Sequence, residues 1–175
     1  DVRTLAASLG DAVKLVAPCD LTDASQVENL HTQVAALTDN LDFMIHAVAF
    51  AKRDELSGRF SNTSQDGFAL AMDVSAYTLV AASRAAAPLM PKGGSIITMT
   101  YLGSERVVPN YNVMGVAKAA LEATVRYLAD DLGPQKIRVN AVSPGMTLTA
   151  SAVGIAGFRD MYKRIPEVAP LRKAT

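Results

Sequence analysis

The sequence predicts an α/β protein built on a doubly wound parallel sheet. Three observations carry that expectation. Short apolar, β-branched runs alternate with longer stretches of helical spacing along the chain. The runs stop at turn formers: Pro18 after Val13 to Ala17, Gly103 after Ser95 to Thr100, and Pro144-Gly145 after the run from Ile137. The last two of these strands flank a helix-rich segment, which makes a βαβ unit. The 175 residues, half of them hydrophobic, suit one globular domain with a real core.

The elements follow in order. The first ten residues read as the tail of a helix, and Val13 to Ala17 as a strand closed by Pro18-Cys19-Asp20. A helix follows Asp23, with Val27, Leu30, Val34 and Leu37 at helical spacing. Phe43 to Val48 is the next strand, and Lys52 to Thr63 is polar and irregular. A long, possibly bent helix spans about Gln65 to Met90, with Ala69, Met72, Ala76, Leu79 and Val80 available for packing. The Ser95 strand comes next and ends at Tyr101. The stretch Ala119 to Leu132 is rich in helix formers and lacks proline. Asn110 can cap this helix, and Pro109 suits the turn before it. After the Ile137 strand, residues 146–165 mix glycine, alanine and threonine and read as a lid over a substrate.

Composition narrows the function. Seventeen basic residues balance seventeen acidic ones, so no basic stripe points to nucleic acid or a membrane surface. No apolar run approaches membrane-spanning length, and no secretory signal is visible. The single Cys19 cannot form an internal disulfide, which is compatible with a reducing, cytoplasmic setting. His31 reads as solvated and His46 as a satisfied core histidine. No Cys/His/Asp group has metal-ligand spacing, so no metal is expected.

Tyr111 and Lys118 carry the chemistry. Seven residues at about 100° each make roughly 700°, close to two full turns, so both lie on one helix face. Helical side chains lean toward the N-terminus, which points the lysine back at the phenol. A phenol beside an ammonium group can stabilise a developing oxyanion, and the positive neighbour should lower the phenol's pKa. On its own the pair reads more readily as a surface lysine and a half-buried tyrosine that never meet. Tyr101, Tyr111 and the loop from Gly145 all fall beyond the carboxyl ends of strands, where open parallel sheets bind ligands.

These segments resemble the enoyl-acyl-carrier-protein reductases, a divergent branch of the short-chain dehydrogenase/reductase superfamily. The resemblance rests on His46-Ala47-Val48-Ala49-Phe50-Ala51, Thr100 to Glu105, Pro109 to Lys118 and Ile137-Arg138-Val139-Asn140, and it runs across essentially the whole chain. Its most specific element is tyrosine, six residues, then lysine, with a second tyrosine ten positions upstream. Ordinary superfamily members space tyrosine and lysine by three residues. Neither Glu105 nor Gly115 completes that spacing here.

The resemblance implies a Rossmann-like fold and reduction of the trans-2 double bond of a thioester carried on acyl carrier protein. It implies NADH as cofactor, with NADPH not excluded, and a homo-oligomer, tetramer or dimer, whose contacts include the alanine-rich helices near Ala81 to Ala87 and Ala117 to Ala123. Tyr101, Tyr111 and Lys118 would be catalytic. Asp20 and Leu21 would meet the adenine; without the resemblance, Asp20 reads as a turn residue before a helix. Val48, Ala49 and Ala51 would border the cofactor and the acyl chain, with Ala51, Tyr101 and Tyr111 on the substrate. Thr149, with Thr147 beside it, would face the nicotinamide carboxamide. Met146, Thr147 and Leu148 stand where most relatives carry proline, a β-branched residue and a basic residue. None of the eleven glycines forms a phosphate-cradling turn, and the chain begins at Asp1. The expectation is therefore an internal portion of a longer protein, without the first and last strands of the sheet. Two other readings stay open: a short-chain reductase acting on a carbonyl or a different enoyl thioester, and a cofactor-free interaction domain.

Overall fold

A computed structural model describes residues 2–149 and 157–173. Three strands form one parallel sheet in the order β1-β2-β3: β1 is Phe43–His46, β2 Gly94–Met99 and β3 Ile137–Val142. The register pairs His46 with Thr98 and Met99 with Val142, so the three carboxyl ends finish side by side. Before the sheet come α1 (Val2–Ser8) and α2 (Ala24–Ala35). Asp23 caps α2 by accepting from the backbone N–H groups of Ser25 and Gln26. The Ser25 hydroxyl and the Gln26 side-chain amide also donate to it, and these side-chain bonds, then the backbone ones, hold its carboxyl down at about 2.

Parallel strands need crossovers, and helices supply both. Helix α3 (Gln65–Met72), a π-turn (Asp73–Tyr77) and α4 (Thr78–Ala86) link β1 to β2. Helix α5 (Asn112–Leu132) links β2 to β3. Short helices α6 (Phe158–Lys163) and α7 (Ile165–Val168) lie beyond the sheet in sequence. Leu79, Leu121, Ile96, Ile137 and Val139 join α4, α5 and one sheet face in a single core. On the other face Phe43 and Ile45 are exposed.

Three expectations change. Val13 to Ala17 joins no ladder: it runs irregularly, with alternate residues half-buried, and a strand needs a hydrogen-bonded neighbour. The long helix buries Gly67 and Ala71, while Ala69 is exposed and Met72 only half-buried. The extra residue of the π-turn rotates the N-terminal half by about 100° relative to α4, which moves the packing stripe off Ala69. Asn110 does not cap α5. Its φ of 62° is left-handed, whereas a capping residue sits in the extended region, and Tyr111 takes the cap position with no side-chain cap bond. The expected lid, 146–165, lies partly outside the described residues.

Candidate active site

The site grows from the carboxyl end of β2. Tyr101 follows the strand in an extended conformation, and Leu102–Ser104 then make a tight turn. The chain returns to α5 through Asn110 and Asn112, both at positive φ (62° and 38°). These two left-handed residues bracket Tyr111 and turn its ring inward, where it is 9% exposed. Its ring meets that of Tyr101 edge to face, with centroids 5.0 Å apart and planes at 70°.

Two glycines permit this packing. A Cβ at Gly103 would stand 2.4 Å from Cδ1 of Tyr111, and one at Gly115 would stand 2.8 Å from the Gly103 carbonyl oxygen. Gly115 is the position at which ordinary three-residue spacing would place the lysine. Any side chain there collides with backbone, so that arrangement is closed to this chain.

Lys118 is 6% exposed, two turns along α5. Its ammonium donates to the Met99 carbonyl oxygen at 2.7 Å. It therefore sits at the strand ends, and among the described residues it makes no hydrogen bond to the phenol. Burial lowers its pKa to about 8, and its charge is a secondary reason, after burial, that His46 falls to about 4. The expected lowering of the Tyr111 pKa is reversed: burial, and then the neighbouring Tyr101, push the phenol up. Desolvation of the anion outweighs any help from a lysine committed to Met99. At neutral pH Tyr111 is a protonated donor and Lys118 is mostly charged.

His46 is the core histidine expected of it. Nδ1 and Nε2 lie 2.9 Å from the hydroxyls of Thr98 and Thr78. Thr78 gives its one proton to the Val74 carbonyl at 2.6 Å, so Nε2–H donates to Thr78. Nδ1 of the neutral ring then accepts from Thr98, whose hydroxyl also lies 3.2 Å from the His46 carbonyl.

The other site residues spread along the same rim. The Asp20 carboxylate accepts from the backbone N–H and hydroxyl of Thr22, the turn role open to it, and these bonds lower its pKa. Leu21 and Val48 line one apolar groove between α2, β1 and α4. Ala49 is exposed and Ala51 half-buried; Thr147 bonds back to the Gly145 carbonyl at 3.2 Å and, like Thr149, is exposed. The structure brings Tyr101 and Tyr111 together, with Lys118 at the adjoining strand ends; no described contact joins Asp20, Thr147 or Thr149 to them. Sequence reading missed Ser75 and Glu122. Ser75, fully buried in the π-turn, donates to the Phe50 carbonyl (3.1 Å) and accepts from its N–H (3.0 Å), which fixes the loop after β1. A serine and a glutamate inside helices carry no motif; only their burial and partners single them out.

Comparison with known proteins agrees with this geometry. A family model for enoyl-(acyl carrier protein) reductase matches residues 1–175. The chain belongs to the enoyl-(acyl carrier protein) reductase family. It is 47% identical over 174 residues to the NADH-type enzyme FabI of Bacillus subtilis, covering 99% of this chain and 67% of that protein. It is 51% identical over 154 residues to the NADPH-type enzyme of Staphylococcus aureus, covering 88% and 60%. The fold matches the crystal structure of the Bacillus cereus enzyme with NADP+ and indole naphthyridinone at a TM-score of 0.95 and 49% identity, covering 98% of this chain and 67% of that one. The chain thus spans about two thirds of the length of these relatives, and its sheet is Rossmann-like.

The donor set fits a nicotinamide dinucleotide at its ribose end. Lys118 has three N–H donors, and Met99 takes one of them. The others remain at the carboxyl ends of the parallel strands, the rim at which open sheets bind ligands. Among the described residues no cluster of His, Cys, Asp and Glu could hold a metal ion.

Proposed function

We propose that this chain reduces the trans-2 double bond of enoyl thioesters on acyl carrier protein, in fatty-acid synthesis, with NADH as the preferred donor. The packed Tyr101–Tyr111 pair beside buried Lys118, with Gly115 closing off the other spacing, carries this reading. It favours an enoyl reductase over a carbonyl-reducing relative. The nicotinamide, when bound, supplies a hydride to the β-carbon of the substrate. Negative charge then develops on the thioester oxygen, and a proton at the α-carbon completes the reduction. Tyr111, kept protonated by burial, donates a hydrogen bond to that oxygen. Lys118 holds the ribose hydroxyls and adds positive potential. Tyr101 orients the substrate and, with Ala51, bounds the acyl chain. Asp20 and Leu21 serve the adenine side; Val48, Ala49, Thr147 and Thr149 border the nicotinamide side; residues 146–165 close over the acyl chain.

We further read the chain as one domain that assembles into a dimer or tetramer in the cytoplasm. Tyr127 (80% exposed) and Val116 (37%) offer apolar surface on α5 for a second copy. Among the described residues no helix is long and apolar enough to cross a membrane.

The test is a steady-state assay of the full-length protein with an enoyl thioester of acyl carrier protein, following loss of nicotinamide absorbance. The expected result is turnover with a higher kcat/KM for NADH than for NADPH. Reduction of a β-ketoacyl thioester but not of the enoyl thioester would overturn the reading. Preference for NADPH would overturn the cofactor assignment alone.

A further inference from the structure

Glu122 lies one turn beyond Lys118 on α5, half-buried against the segment that carries Tyr101. One of its carboxylate oxygens accepts from the Thr100 hydroxyl at 2.6 Å and from the Ser104 hydroxyl at 2.5 Å. Thr100 immediately precedes Tyr101, and Ser104 closes the turn after it through a backbone bond to the Tyr101 carbonyl. Lys118 holds the same segment one residue upstream, at Met99. Helix α5 therefore grips the Tyr101 loop at three points with two side chains. These grips are unequal. A lysine that engages a ribose divides its donors between the cofactor and Met99, whereas the carboxylate's two hydroxyl bonds stay wholly on the Tyr101 segment.

We propose that Glu122 is a positioning residue: it keeps Tyr101 packed edge to face on Tyr111 while Lys118 engages the cofactor. The proposal rests on Tyr101 having a part in turnover. It needs no charge on Glu122 itself, only an oxygen that accepts twice. A glutamine at 122 retains such an oxygen, and an alanine does not.

The experiment compares Glu122→Ala, Glu122→Gln, Tyr101→Ala and the Glu122→Ala/Tyr101→Ala double variant in the full-length enzyme. It measures kcat, KM for the enoyl thioester, and Kd for NADH by fluorescence. Glu122→Ala should lower kcat by about ten- to a hundredfold, the range expected when a loop moves a reacting group by up to 1 Å. The NADH Kd should stay within about twofold, Glu122→Gln should recover most of the kcat, and Glu122→Ala should cost almost nothing further once Tyr101 is gone. Wild-type kcat in Glu122→Ala, with Tyr101→Ala impaired, would overturn the proposal and leave the reading of the site intact. Full additivity in the double variant, or parallel loss of kcat and NADH binding, would also overturn it, because Glu122 would then act through the fold as a whole. Unimpaired turnover in Tyr101→Ala would remove Tyr101 from the reaction and the proposal with it.

Discussion

His46 and Lys118 are both cationic when protonated, and burial lowers the pKa of each. For His46 the folded pKa is about 4 against an ordinary 6.5. The folded state therefore refuses a proton that the unfolded chain accepts. The stability tied to this group is fully present above pH 6.5 and is lost as pH falls toward 4. Between pH 7 and 4.5 the loss should amount to about 2 kcal/mol. Urea unfolding of wild type and His46→Gln at both pH values checks this. Glutamine can donate to Thr78 and accept from Thr98 but does not titrate. The wild type should lose more stability than the variant on acidification; an equal loss would mean that His46 is not buried neutral. The neutral histidine was legible from its apolar strand alone. The raised phenol of Tyr111 was not, because spacing along a helix gives proximity but says nothing about desolvation, nor about a carbonyl that claims the lysine.

At the scale of elements, the crossover between β1 and β2 shows where periodicity stops informing. Ala76 and Leu79 are buried as their spacing predicts, but the stripe fails at Ala69 because the π-turn inserts one residue. Nothing in Asp73-Val74-Ser75-Ala76-Tyr77 announces that turn. Its effect is to deliver Ser75 to the loop after β1. Further along, α4 carries a buried fault. The Ser83 hydroxyl is fully enclosed and has no hydrogen-bond partner among the described residues. A buried orphan hydroxyl costs roughly 1–3 kcal/mol, and alanine is also the better helix former. Ser83→Ala should therefore stabilise the protein by about 1 kcal/mol and raise the midpoint by a few degrees in calorimetry. A lower midpoint would show that the hydroxyl has a partner in the assembled protein. The cap of α5 was misread for a related reason. Asparagine favours both caps and left-handed turns, and Asn110 took the turn.

For the whole molecule, the parallel sheet and its strand ends were legible because alternating strands and helices leave few topologies open. The register then places Met99, Thr100 and Val142 level at one rim, which brings Lys118 and the two tyrosines to a common edge from two separate stretches of sequence. The Tyr101–Tyr111 contact depends on Gly103, which the sequence reads as a strand boundary, and on Gly115, which it reads only as a position without a lysine; both are required space. The proposed function assigns the developing enolate to one atom, the Tyr111 hydroxyl. Replacing Tyr111 with Phe in the full-length enzyme, and measuring kcat alongside the NADH dissociation constant, tests that assignment most directly. The account predicts a loss in kcat of about a hundred- to a thousandfold, as for other single oxyanion donors, with cofactor binding nearly unchanged. Wild-type turnover in the Tyr111→Phe enzyme would contradict it.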